Sequence, residues 1–199
     1  MNSGVTAERV YDALKARLLS GEILPGERLE PKRFAEELAS SVTPVRDALN
    51  RLSGERIVDT RTADGFHLPL MSEPVLRDLY QWNGQLLRLA SQAWCDGTSW
   101  PRADTLAADR ISATCQLFEL FGRRSNQVEH LAQIISVNDR LQAARIAETR
   151  VLEGIEAEIR AMAVGFDREA PPVLLRLVRA YHRRRTRAVP AIVRAIYHR

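Results

Sequence analysis

The chain has no run approaching the ~18 uninterrupted apolar residues of a membrane-spanning helix. Its opening residues, MNSGVTAERVYDALKARLL, lack the positive-then-apolar order of a secretory leader. A cytoplasmic protein that does not meet a membrane is therefore expected. Cysteine is scarce, and Cys95 and Cys115 sit in apolar segments without metal-type spacing. They read as two reduced thiols inside a helical core, with a disulfide as the minor alternative. Also missing are a glycine-rich phosphate loop, a nucleophile elbow, an H-E-x-x-H helix and a Cys/His metal spacing. Glu156 and Glu158, two residues apart, fall on different sides of a helix and cannot readily work as an acid-base pair. Together these absences argue against an enzyme. No internal repeat or low-complexity tract occurs.

The 199 residues are 45% hydrophobic and 27% charged, ordinary for a folded domain or two small ones. Twenty-nine Lys and Arg against 25 Asp and Glu give a formal +4, which favours a polyanionic partner without identifying one.

In TAERVYDALKARLLSGEILPGERL, Val10, Tyr11, Leu14 and Leu18 make one helical stripe. Thr6 is placed to cap it, and Gly21 and Pro25-Gly26 end it and turn the chain. A second, shorter helix fits PKRFAEELA, with Pro31 at its entrance and Phe34, Ala35 and Leu38 inward. In SSVTPVRDALNRL, Thr43 is suited to cap a third helix and Pro44 to occupy its first turn. Val45, Ala48, Leu49 and Leu52 then form the apolar side, and Arg46, Asp47, Asn50 and Arg51 the polar one. Ile57-Val58, an Asp64-Gly65 turn and the alternating Phe66, Leu68 and Leu70 predict a small β-hairpin.

Strand patterns end near residue 73, the expected boundary between domains at 1–73 and 74–199. Beyond it the pattern is helical. Leu76, Leu79, Leu86, Leu87 and Ala90 stripe a first helix, LAADRISATCQLFELF gives a second and SNQVEHLAQIIS a third. One long helix is expected from Asn138 to about Met162, then two proline-started helices, PPVLLRLVRAYHRR and VPAIVRAIYHR. DGTSWPRAD, GRRS and GFDREAPP read as breaks.

The fold expected is mainly α: an N-terminal winged helix-turn-helix followed by an all-α helical bundle. Such a scaffold lays its second motif helix in the major groove and lets the wing touch the backbone. Candidate contacts are Lys32, Arg33, Ser41, Thr43, Pro44, Arg46, Asn50 and Arg51, with Arg61 and Gly65 in the wing. Arg46 and Arg51 suit phosphates or guanine edges, Asn50 a base edge, and Thr43 a phosphate at the helix start. The bland alternative is a wet helix face on a protein-protein module whose bundle only assembles.

The order PG turn, TPVR, RL and GF wing across YDALKARLLSGEILPGERLEPKRFAEELASSVTPVRDALNRLSGERIVDTRTADGFHLP resembles the GntR winged-helix module. LRDLYQWNGQLLRLA is similar to the opening helix of the FCD-type effector domain of the FadR-like branch. The resemblance implies a homodimeric transcriptional regulator. It implies reading of a palindromic double-stranded operator and control by a small effector, such as a carboxylate metabolite, in the helical domain. Val42 stands where the family carries an operator-contacting arginine, Lys32 where it starts the first motif helix with a basic residue, and Ala39-Ser40 where it has Gly-Val.

The resemblance also implies a divalent metal held by an aspartate and three histidines. Aligning SVNDRL with the family's S-G-N-x-x-L puts Asn126 at the aspartate and His130, His182 and His198 at the later positions. An amide in place of the carboxylate disfavours a metal. The alternative is that His130 and His182 are bonded within the bundle and His198 is solvated. The family's arginine and glutamate on the opening helix correspond to Asn83 and Leu87, which implies a neutral surface there. HRRRTR, residues 182–187, reads as a solvated or acid-paired face rather than a nucleic-acid patch, and GRRS as an ordinary loop. Trp82, Trp94, Trp100 and Tyr80 are read equally as core or dimer contact and as pocket lining.

Overall fold

The computed structural model describes residues 3–61, 64–94, 103, 106–168 and 171–198, with no account of the side chains of residues 3–6 and 171. The expectations for Cys95 and Trp100, and the capping role of Thr6, lie outside the described residues. The chain divides into two compact units, Met1–Met71 and Ser72–Arg199. No helix among the described residues is long and apolar enough to cross a membrane.

The first unit is built on α1 (Ser3–Leu19), α2 (Pro31–Glu37) and α3 (Val42–Gly54). Val10, Leu14 and Leu18 of α1, Phe34 of α2 and Val45, Leu49 and Leu52 of α3 are buried together in one core. Each such side chain removed from water is worth about 1.5–3 kcal/mol. Pro31 opens α2, where its missing N–H costs nothing. Between α2 and α3, Ala39 adopts φ 47°, and the Ser40 amide donates to Ala35 O at 2.9 Å. This is the tight turn of a helix-turn-helix, made without glycine.

Three strands complete the unit: β1 (Arg28–Leu29), β2 (Asp59–Arg61) and β3 (Gly65–His67), antiparallel in the order β1-β3-β2. The two-residue β1 is too short to leave a sequence pattern and adds a third strand to the expected hairpin. Ile57 and Val58, expected to open the hairpin, are core residues that precede β2. Phe66 and Leu68 pack against the core as expected, but Leu70 is 56% exposed, because β3 ends at His67 and the chain has left the sheet. Leu70 lies instead over Gly26, whose φ of 92° and missing Cβ admit the leucine at what would be 2.7 Å.

One local expectation fails at α3. The N-cap is Ser41, not Thr43, which already lies inside the helix, and no side chain caps this end. Pro44 stays within the first turn, as expected.

The second unit contains α4 (Glu73–Gln92), α5 (Arg110–Arg124), α6 (Val128–Arg140), α7 (Gln142–Val151), α8 (Ile155–Asp167) and α9 (Pro171–Tyr197). Ser72 caps α4 and Asp109 caps α5, the latter accepting from Ile111 and Ser112 N–H groups. Helix α4 packs on α5, α6 and α9, while α7 and α8 also pack on α9. The long helix expected over residues 138–162 is broken: Leu152 is extended and Gly154 takes φ 68° before α8 begins. The two helices expected at the end are one, with Pro190 inside it. An interior proline leaves the carbonyl four residues back, here on Thr186, without its helical donor and crowds it with the ring, a cost that the packing of α9 offsets. GRRS is the last turn of α5 rather than a loop, and α5 stops because Asn126 turns left-handed at φ 51°.

Alanine in the left-handed region carries a cost that glycine does not. Ala39→Gly should raise the stability of the first unit by about 1 kcal/mol. A urea titration showing no gain would mean that the helix-helix turn holds no such strain.

Candidate DNA-binding surface and the interior of the helical unit

Helix α3 is amphipathic, so burial of Val45, Ala48, Leu49 and Leu52 fixes which side chains remain outside. Thr43, Arg46, Asp47 and Asn50 are exposed, and Pro44 is half-buried. Arg46 has no ion-pair partner among the described residues. Ser41 is exposed, and its hydroxyl makes no cap bond. The first N–H groups of α3 therefore have no side-chain acceptor, an arrangement suited to a phosphate.

The other candidates divide. Lys32 at the start of α2 and Arg61 at the end of β2 are exposed without ion-pair partners among the described residues. Arg33 is tied along its own helix, Nε donating to Glu37 Oε1 at 2.8 Å. Gly65 takes φ 80° with nothing within 4 Å of where a Cβ would sit, so its role is to turn the wing rather than to admit a close neighbour.

Arg51, read from the sequence as part of the free face, is held against α1. Its guanidinium carbon lies 3.7 Å from the centroid of the Tyr11 ring, and Nη1 donates to Glu8 Oε2 at 2.9 Å. Glu55 extends the contact, accepting from Tyr11 Oη at 2.5 Å and Lys15 Nζ at 3.0 Å. Burial followed by the Glu55 hydrogen bond raises the Tyr11 pKa, which keeps the phenol a donor. Only the fold brings Glu8, Tyr11 and Lys15 to the end of α3, some 40 residues away, and nothing local in the sequence marks it.

The interior of the helical unit is unusually polar. Arg185 is fully buried in the middle of the basic run; its Nε donates to Glu148 Oε2 at 2.8 Å and its Nη1 to Glu158 Oε2 at 3.0 Å. Its guanidinium carbon stands 3.3 Å from the centroid of the Tyr181 ring. The second oxygen of Glu148 accepts from Tyr80 Oη at 2.6 Å. Burial, then the Glu148 charge, holds the Tyr80 pKa well above its usual value and pushes that of Tyr181 to about 12. A buried ion pair of this kind adds little net stability, but removing one partner strands the other charge.

Arg145 has no carboxylate within ion-pair distance among the described residues. Its Nη2 donates to Asn138 Oδ1 at 2.8 Å, and its Nη1 to Asn138 O at 3.1 Å and Cys115 Sγ at 3.0 Å. Burial raises the Cys115 pKa despite the opposing Arg145 charge, so the sulfur is a neutral thiol. The buried Nε of Arg145 and Nη2 of Arg185 have no hydrogen-bond partner. Burial disfavours the Arg145 charge, but the neighbouring Cys115, Tyr181 and Glu148 hold its pKa above the usual value.

The proposed metal ligands do not converge on a metal site. Asn126 is the exposed left-handed residue that ends α5. His130 is half-buried with Nδ1 unpartnered, and His198 is exposed at the end of α9. His182 is buried, with Nδ1 2.8 Å from Val178 O and Nε2 2.9 Å from the Asn83 amide. A carbonyl only accepts, so Nδ1 carries the proton. The Asn83 atom placed against Nε2 is Oδ1 and its Nδ2 is otherwise unpartnered, so a neutral ring requires the Asn83 amide turned to give its N–H to Nε2. Neither ring nitrogen keeps a free lone pair. Among the described residues no group of three or more His, Cys, Asp or Glu is arranged to hold a metal ion, and these residues do not fit one. Asn83 is fully buried rather than part of a neutral surface, and Gly84 beside it lets the His182 ring approach to what would be 3.2 Å from a Cβ.

Of the aromatic candidates, Tyr80 is core, and Trp94 is half-buried in a ring cluster 5.2 Å from Phe121 and 5.3 Å from Phe166. Trp82 stays 39% exposed on α4. Glu156 and Glu158 diverge as expected, toward Arg110 at 3.0 Å and toward Arg184 and Arg185.

Residues 6–68 match the family of bacterial regulatory proteins described as the gntR family. The chain is 33% identical over 136 residues to the Nta operon transcriptional regulator of Aminobacter aminovorans, covering 61% of this chain and 64% of that protein. It is 31% identical over 104 residues to the HTH-type transcriptional repressor GlaR of Escherichia coli, covering 52% and 47%. The match thus spans less than two thirds of each relative. In fold it is similar to a GntR transcriptional regulator from Rhodococcus sp. RHA1, with a TM-score of 0.73 at 13% identity over 93% and 97% of the two chains. It is also similar to E. coli McbR/YncC, with a TM-score of 0.68 at 17% identity over 94% and 97%.

The His182 geometry sets a pH dependence. Burial, reinforced by the Arg185 and Arg145 charges, lowers its pKa from 6.5 to about 4. The unfolded chain therefore takes up the proton first as pH falls. The stabilising contribution is complete above about pH 6.5 and is lost as pH falls through 4. The helical unit should lose roughly 1.4 kcal/mol per pH unit across that window. In urea titrations His182→Gln should flatten the profile there, and a wild-type profile already flat would contradict the neutral buried ring.

Proposed function

We propose that the chain, whose residues 6–68 match the gntR family of bacterial regulatory proteins, is a sequence-specific, DNA-binding transcriptional regulator, dimeric and controlled by a small effector. The observation that carries this is the exposed Thr43, Arg46 and Asn50 face at the uncapped start of α3, backed by a fully buried opposite side. In the major groove such a helix offers Arg46 to guanine edges or phosphates, Asn50 to adenine, and its open N–H groups to a phosphate. A regulator of this kind acts in the cytoplasm on double-stranded operators.

One short recognition helix covers too little of the duplex for genomic selectivity, so two copies reading a palindrome are needed. A seam on α4 supports a homodimer: Val75, Trp82 and Leu89, seven residues apart in turn, are 40%, 39% and 39% exposed. Residues at that spacing share one face, where a second copy can cover them. The effector reading, which follows the FCD-type resemblance, is supported by buried guanidinium nitrogens that lack partners. Spare buried donors on Arg145 and Arg185 suit an anionic ligand such as a carboxylate metabolite, bound without a metal.

Selection from random duplex DNA should recover a palindrome. On that sequence Arg46→Ala should weaken binding by 10-fold or more, the worth of one good base or phosphate contact. Arg51→Ala, already engaged by α1, should change it by less than about threefold. Equal losses would show that Arg51 leaves Glu8 and Tyr11 to meet DNA, and no recovered sequence would favour the protein-binding alternative. Trp82→Glu should convert a dimer into a monomer in sedimentation at micromolar concentration, and an unchanged dimer would place the interface elsewhere.

A further inference from the structure

The charge of this chain is in an unexpected place. Residues 1–71 carry ten Lys and Arg against eleven Asp and Glu, a net −1, whereas residues 72–199 carry nineteen against fourteen, a net +5. The winged-helix unit therefore has no net attraction for a polyanion, and the whole basic excess belongs to the helical unit. Phosphate neutralisation supplies most of the non-specific affinity of proteins for duplex DNA. That affinity has to come from somewhere.

Helix α9 contains seven arginines and no acidic residue. They separate into two sets. Arg185 is core, and Arg184 is spent on Glu158 at 2.9 Å and on Glu153 O at 2.5 Å. Arg176, Arg179, Arg183, Arg187 and Arg194 are all exposed, and none has an ion-pair partner among the described residues. Their steps of three, four, four and seven residues keep them on one side of a helix of 3.6 residues per turn. The stripe runs for about 27 Å at 1.5 Å per residue. Arg183 and Arg187 also rim a groove of about 340 Å³ whose floor includes Leu152, Ala180 and Ala188. Arg150 of α7 adds another cation against the same helix, donating to Ala195 O.

Like charges one turn apart destabilise a helix. A merely solvated face is expected to mix signs, and this one does not. We propose that the exposed arginine stripe of α9 is a second surface for the phosphates of duplex DNA, separate from the recognition helix. It would add sequence-independent affinity to that of exposed cations of the first unit such as Lys32, Arg46 and Arg61. Arginine suits this because its planar fork can meet phosphate oxygens in pairs. The inference rests on the DNA-binding reading above and extends it to a surface that reads no bases.

The test is fluorescence anisotropy with a 40-base-pair duplex of arbitrary sequence, at several salt concentrations. It compares the wild type with the exposed-site variant Arg176→Gln/Arg183→Gln/Arg187→Gln/Arg194→Gln. Each phosphate that the variant no longer neutralises lowers the slope of log K against log salt by about 0.9. A fall of about 2 or more is expected, with an unchanged preference for a selected palindrome over arbitrary duplex. Identical slopes for the two proteins would overturn the proposal while leaving the recognition helix untouched. A wild type that binds no duplex at all would instead remove the DNA-binding reading itself. Polyglutamate serves as a parallel probe: loss of its binding with duplex binding intact would assign the stripe to an acidic protein partner and also overturn the proposal. So would a loss of duplex affinity accompanied by dissociation to monomers in sedimentation, which would make the stripe part of the assembly.

Discussion

Everything proposed for the first unit depends on the burial of one side of α3. Val45, Leu49 and Leu52 have no exposure, and they lock the helix against the rest of the core in a single rotational setting. A rotation that freed any of them would cost the few kcal/mol that each buried side chain contributes. Because that setting is fixed, Thr43, Arg46 and Asn50 have nowhere to point but outward. The contact of Arg51 with Tyr11 and Glu8 secures the far end of the same helix, so a residue that looks like part of the reading face works as an anchor. An α3 packed along one side, held at its far end and capped by no side chain at its start leaves its first N–H groups without a side-chain acceptor.

The helical unit follows a different logic. Its core is not simply apolar: Arg185, Glu148, Tyr80, Arg145, Asn138 and His182 are buried among the rings and leucines. Matched bonds satisfy most of this network, but Arg145 is left without a carboxylate and two buried guanidinium nitrogens without acceptors. On the proposed effector reading, an incoming anion would take up these unpartnered donors. In the buried His182 both ring nitrogens serve the fold.

Much of this is legible in the sequence, for reasons that differ by residue. The stripes on α1, α3 and α4 are readable because helix-period patterns of leucine, valine and alanine are local. The start of α3 falls two residues earlier than expected because Thr43-Pro44 looks like a cap and first turn, whereas the extended backbone at Ser41 is what begins the helix. The break at Gly154 is hidden by apolar periodicity that continues through Leu152, Ile155 and Ile159. Pro190 suggests a helix start, but the flanking turns hold the helix through it. Arg51 and Arg185 are beyond any local reading, because the partners that bury or hold them lie 43 and 37 residues away. Among the basic residues of α9, only the fold distinguishes the core arginine from the exposed ones.

The central claim is that the outward face at the start of α3 lies against duplex DNA. Hydrogen exchange on the full chain, with and without a selected duplex, addresses it directly. The account predicts slowed exchange at the amides of residues 41–50 when the duplex is added, reversed by high salt. Duplex binding that leaves those amides unchanged would contradict it.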